Sequence, residues 1–226
     1  MRRLCLMFLI VLSGCGRPLT ETEQDFVQMI HGDTLDTSKI RIVDGAPTRA
    51  VTFRRQPRPR TTCRERIVPP VKDEIVTGKP AAMALYNHVL FDRDWYVDDF
   101  LPDYPDQVGL VRAMLFAHEL THVWQWQNRD KTGYSPFRAA YEHTAADDPY
   151  LFELDEDRKF SDFGFEQQGS IMEEYVCCRS LDPTAPRTAR LHALLAEEMP
   201  VRPLPAGRSY DVGLPWAGVQ VEGICR

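Results

Sequence analysis

The stretch FAHELTHVWQ, residues 116–125, decides how this chain is to be read. His118, Glu119 and His122 form an H-E-x-x-H pattern within it. Side chains four apart on a helix share a face, so both imidazoles can reach one metal ion. Glu119 stands one step round from His118, close enough to act as general base on a water molecule. Shuffled chains of this composition give the pattern about once in a hundred sequences. The apolar lead-in at residues 110–117 favours a helix over a loop. Val108, Val111, Leu115, His118 and His122 then lie along one face of a helix predicted over residues 107–128, with Asp106 as its cap. Trp124 and Trp126 are expected to pack against a neighbouring sheet. The competing reading is a surface helix with two solvated histidines.

Two histidines do not complete a zinc site. A third protein ligand is needed, with one position left for water. Asn128 occupies the place, six residues after His122, where a three-histidine site would carry its third ligand. Glu166, in FEQQG, is the preferred candidate, since a carboxylate from a second helix gives a His2Glu set. The Glu173–Glu174 pair and His143 compete for the role. His143, Tyr141 and Tyr134 are alternatives for steadying an oxyanion, and Ser170 and Glu173 for orienting the ligands. One zinc ion per chain is the expected cofactor.

Outward from this centre the chain divides into a strand-rich half and a helical half, an α+β pattern. Thr20 and Glu23 have capping-box spacing ahead of Phe26, Val27 and Ile30, and Gly32 ends that helix. Strands are predicted at residues 40–43, 51–53, 67–68 and 85–91, and another at 150–154. Ser135-Pro136 opens a helix to about 144, Ser161 one to about 179, and Pro186 one to 199. Residues 200–226 read as an extended, proline-bearing tail.

The 226 residues suit one domain, with 43% hydrophobic and 27% charged residues and a net charge of −6. An acidic balance argues against nucleic acid as partner. The short basic run at 54–60 is proline-broken and reads as a solvated loop.

Arg2 and Arg3 followed by an apolar run at 4–12 form an export signal, too short to span a bilayer as a mature helix. Leu12-Ser13-Gly14-Cys15 resembles the lipobox of bacterial lipoproteins. That resemblance implies cleavage after residue 14, lipid on Cys15 and a mature chain of residues 15–226. Gly16 in place of Asp implies the periplasmic face of a Gram-negative outer membrane. Cys63, Cys177, Cys178 and Cys225 remain, an even number suited to an oxidising compartment. Adjacent Cys177 and Cys178 are expected to bond to the distant Cys63 and Cys225, with the connectivity open. The missing C-x-x-C spacing argues against a cysteine zinc site.

FAHELTHVWQ together with FGFEQQGSIMEEY, residues 163–175, resembles a family of bacterial metallopeptidases found as Vgr-related proteins and as core domains near contractile injection systems. The likeness runs from about residue 19 to 181. It implies a zincin-like fold, zinc at His118 and His122, Glu119 as base and Glu166 as third ligand. The chain departs from the pattern at Gly169-Ser170 and at Glu173-Glu174, and the lipobox is atypical. In zincins the strand before the active helix binds substrate, which here points to residues 85–91. The expected activity is hydrolysis of a peptide bond in a peptide or protein substrate. A silent zincin-fold scaffold and an amidase acting on peptidoglycan peptides are the alternatives.

Overall fold

The computed structural model describes residues 16–54, 59–145, 148–154, 158–204 and 209–226. The export segment, Cys15 and residues 55–58 of the basic run lie outside these. In chain order the elements are α1 (Glu21–Ile30), β1 (Arg41–Asp44), β2 (Val51–Arg54), α2 (Cys63–Arg66), β3 (Ile75–Gly78), β4 (Ala82–Leu85) and β5 (His88–Phe91). There follow β6 (Gln107–Gly109), α3 (Leu110–Gln127), α4 (Arg129–Thr132), α5 (Pro136–Ala145), α6 (Phe165–Leu181), α7 (Pro186–Ala196) and β7 (Asp211–Gly213). This is a mixed α+β fold with small sheets. None of the described helices is long and apolar enough to cross a membrane.

The predicted capping box starts α1. Its Glu23 carboxylate is buried and accepts from the Thr20 and Phe100 amides at 2.9 and 3.0 Å, while Arg17 grips it with two bonds of 2.7 and 2.8 Å. A buried carboxylate must be matched in this way, and the match ties three segments together. Arg17 also bridges to Ile42 of β1 through its backbone.

The main sheet runs β1-β5-β4, with β5 parallel to β1 and antiparallel to β4. The single strand expected at 85–91 is instead broken by a turn at Tyr86-Asn87, where Tyr86 has φ 58°. The chain folds back there, so β5 is the central strand and has both edges paired. The one strand expected at 85–91 is therefore corrected to a β4–β5 hairpin with β4 at the sheet's edge. Residues 67–68 form no strand, because Ile67 caps α2, and none forms at 150–154. β3, which pairs with β2, was not expected. Residues 107–109 pair in parallel with β7 instead of joining α3, so Gly109 rather than Asp106 is that helix's N-cap. A 3-10 turn at Phe160–Asp162 likewise delays α6 to Phe165.

α3 and α6 pack against each other at the centre. The sheet covers α3, and α2 and α7 cover α6. Residues 116–125 of α3 and 168–179 of α6 are buried without a break. Helices enclosed on all sides have no need of a polar stripe. Phe91, Phe100 and Phe116 stack between sheet and helix at centroid distances of 4.2 and 5.3 Å. Successive residues on a helix point about 100° apart, so Cys177 and Cys178 face different neighbours. Cys177 bonds Cys63 of α2 and Cys178 bonds Cys225 of the tail. The bonds close stretches of 114 and 47 residues, which restricts the unfolded chain by about 4–5 kcal/mol each.

His31 follows α1 and is fully buried, with Nδ1 3.2 Å from Met199 Sδ and Nε2 without a hydrogen-bond partner. A Cβ on Gly32 would meet Pro200 Cγ at 2.3 Å, so only glycine lets the two segments approach this closely. Burial drives the His31 pKa down to about 3. The unfolded chain accepts this proton near the ordinary value of 6.5, while the folded chain refuses it. Stability is thus fully present above pH 6.5 and is lost as pH falls toward 3, by up to about 1.4 kcal/mol per unit for one proton. His31→Leu should flatten this fall. Urea denaturation of both chains between pH 7 and 4.5 checks it, and parallel curves would remove His31 from the account.

Candidate metal centre

The H-E-x-x-H segment sits in the middle of α3, facing the first turn of α6. His118 Nε2 lies 3.1 Å from His122 Nε2 and 3.2 Å from Glu166 Oε2. His122 Nε2 is 3.4 Å from the same oxygen. All three residues are buried, and their ligand atoms fall within 4.8 Å of one another. They form a group that could hold a metal ion. Cys63, Cys178 and Cys225 also cluster, but their sulfurs are committed to disulfides.

The surrounding bonds decide which nitrogens are free. Gln125 donates its amide to Phe165 O and Gln168 Oε1 at 3.0 and 2.9 Å. Its own Oε1 must therefore accept, and His122 Nδ1 donates to it at 2.9 Å. That leaves the His122 Nε2 lone pair directed at the centre. The other ring's Nδ1 stands 3.5 Å from Glu173 Oε1, itself paired with Arg64 at 2.6 Å. With a proton on that Nδ1, His118 too presents a lone pair inward. In those tautomers two imidazole nitrogens and a carboxylate oxygen converge, a donor set that could hold a metal ion.

Glu166 is fixed from two sides. His143 of α5 donates to its Oε1 at 3.0 Å, leaving Oε2 for the centre. Glu142 accepts from the Phe165 and Glu166 amides at 3.0 and 3.1 Å, which satisfies the open end of α6. A Cβ on Gly169 would come within 2.7 Å of the His118 ring, so glycine makes room for that imidazole. The ring of Tyr134 stacks on His122 at 6.0 Å. Tyr150 lies 6.0 Å from His118 and 5.7 Å from His143.

The charges of the group are strongly coupled. Burial would raise the Glu166 pKa, yet the charge on His122 and hydrogen bonds from His118, His122 and His143 hold it well below the ordinary range. Burial would lower His122, but the charge and hydrogen bond of Glu166 push it up to about 9. Its bond to Glu166 raises His143 as well. Burial pushes the Tyr134 and Tyr150 phenols up. Glu119 is buried, its Oε2 has no hydrogen-bond partner among the described residues, and burial raises its pKa.

Of the rivals to Glu166, Glu173 stands behind His118, and Glu174 pairs with Arg187 at 2.7 Å, turned to α7. His143 backs Glu166. Tyr141 is 69% exposed, and no ring contact or hydrogen bond among the described residues joins it to the centre. Arg64, Gln125, Glu142 and Tyr150 belong to the site and were missed. Gln125 alone carried a local signal, three residues after His122 on the same helix.

No family model matches the chain. It is similar, at 26% identity over 166 residues, to the type VI secretion system spike protein VgrG2b of Pseudomonas aeruginosa. That match takes in 71% of this chain and 13% of VgrG2b, so the chain spans about an eighth of its curated relative. A solved structure, the effector domain of the same VgrG2b, superposes with a TM-score of 0.52 at 26% identity, covering 81% of this chain and 84% of that domain. The zincin metallopeptidase family named from the two motifs is thereby corrected. The likeness these comparisons support is to a secretion-spike effector domain.

Gln125→Leu removes two bonds between α3 and α6 and one within α3. It should lower stability by about 1–3 kcal/mol, measured by urea denaturation with chelator present so that metal binding does not contribute. An unchanged midpoint would mean that the amide does not support the site.

Proposed function

We propose that this chain is a zinc-dependent hydrolase of peptide bonds, with His118, His122 and Glu166 holding the ion and Glu119 as general base. One observation carries the reading: three inward-directed donors meet beside a buried carboxylate that has an oxygen without a partner. When bound, zinc would polarise the scissile carbonyl and lower the pKa of water to about 7. Glu119 takes the proton of the attacking water and delivers it to the leaving amine. His143 and Tyr150 border the donor set and are the groups best situated to steady the oxyanion.

The layout supports a zincin-like reading of the fold. An edge strand, β4, packs against the H-E-x-x-H helix, and a second helix brings in the glutamate. An extended substrate would add to the free edge of β4. The likeness to an effector domain supports a target outside the chain itself. Two disulfides support an oxidising compartment, in keeping with lipid on Cys15 at the periplasmic face of an outer membrane.

Glu119→Gln should retain zinc and lose hydrolysis of an unstructured protein substrate by about 10²-fold or more. Unchanged turnover in that variant would end the mechanism. Cleavage of peptidoglycan peptides but not of protein would move the activity to an amidase, and bound zinc without either activity would favour a scaffold. Growth on labelled palmitate should label the wild type and leave Cys15→Ser unlabelled; label surviving in the variant would dispose of the anchor.

A further inference from the structure

His122 owes its orientation to Gln125 on its own helix, while His118 depends on groups from elsewhere in the chain. α2 is a single turn of four residues, too short to be helical on its own. The Cys63–Cys177 disulfide fixes it to the middle of α6, with a Cα–Cα distance of 6.0 Å. The next residue, Arg64, turns its guanidinium to Glu173, Nη1 to Oε2 at 2.6 Å. Its amide donates to Glu174 Oε2 at 3.4 Å, and its guanidinium lies over the Tyr150 ring at 5.7 Å. Glu173 precedes Cys177 by one helical turn, so carboxylate and disulfide share a face of α6. The second oxygen of Glu173 is the atom that stands 3.5 Å from His118 Nδ1.

We propose that Arg64 is a positioning residue for the metal ligand His118, acting through Glu173, and that the Cys63–Cys177 disulfide keeps it in register. The inference rests on the metal site proposed above. A carboxylate behind a ligating histidine fixes its tautomer and increases its basicity. Glu173 is buried, and a buried carboxylate turns toward whatever positive charge is within reach. With Arg64 on Oε2, Oε1 is held 3.5 Å behind Nδ1, an ion-pair distance from which a small turn of the ring would make a hydrogen bond. Without Arg64, no other ion pair among the described residues holds the carboxylate in that rotamer from the α2 side. His118 then loses its partner, while His122, held by Gln125, keeps its own. The disulfide matters here because it delivers Arg64, apart from any contribution to folding.

The test is zinc affinity of the full chain by competition with a chromophoric chelator, together with the visible spectrum of the Co²⁺ form. The variants are Arg64→Leu, Arg64→Lys, Glu173→Gln, the Arg64→Leu/Glu173→Gln pair and Cys63→Ser/Cys177→Ser. Arg64→Leu and Glu173→Gln should each weaken zinc by about 10- to 100-fold, and the pair should be no worse than either alone. The Co²⁺ spectrum should shift in each. Arg64→Lys should recover most of the loss, since one charged donor suffices for a single contact. The serine pair should match Arg64→Leu. If it does not fold, the arginine variants, with both disulfides intact, carry the test. Wild-type affinity in a folded Arg64→Leu would overturn the inference, as would losses that add in the pair. Absence of tight zinc in the wild type would overturn the metal site itself, a separate outcome.

Discussion

Carboxylates placed in a protein interior must be matched by positive charge, and four of them, Glu119, Glu166, Glu173 and Glu174, are buried between α3 and α6 or just behind them. Glu174 has Arg187 and Glu173 has Arg64. Glu166 is shared among three histidines. Glu119 has the two histidines for neighbours but an oxygen without a partner. Arginines satisfy the outer pair. The inner pair has the imidazoles of His118 and His122 for neighbours, and it is there that a metal ion could be held. The helix packing enforces the burial, because residues 116–125 of α3 and 168–179 of α6 are covered without a break.

Other parts of the fold serve that pairing. The three-stranded sheet supports α3 from one side, and its hairpin leaves β4, which packs on α3, at the sheet's edge among the described residues. α5 supplies Glu142 to the open end of α6 and His143 to the far oxygen of Glu166. Both disulfides converge on one pair of residues in α6 and fix α2 and the C-terminal tail to the helix that carries Glu166 and Glu173. Separate supports thus reach each ligand: Gln125 for His122, Glu173 for His118, and His143 with Glu142 for Glu166.

Short spacings made part of this legible in the sequence. The capping box at Thr20 and Glu23, and the four-residue interval that sets His118 and His122 on one face, need only the helical repeat. Glu166 was accessible through chemistry, because two histidines require a third donor. Arg64 was not, since its link to Glu173 spans more than a hundred residues and depends on a disulfide whose partners the spacing left open. Asp106 looked like a helix cap, but pairing with β7, from the far end of the chain, turned residues 107–109 into a strand. The apolar segment 85–91 concealed a hairpin, because Tyr86-Asn87 lacks the glycine that ordinarily marks such a turn. The family inferred from two motifs was likewise corrected by comparison over most of the chain.

Metal content of the purified chain tests the central claim most directly, measured for wild type, His118→Ala and Glu166→Ala after dialysis against a weak chelator. The account predicts close to one zinc per wild-type chain, essentially none in His118→Ala and a reduced, readily removed fraction in Glu166→Ala. A folded wild-type chain that retains no metal, or one whose metal survives the loss of His118, would contradict it.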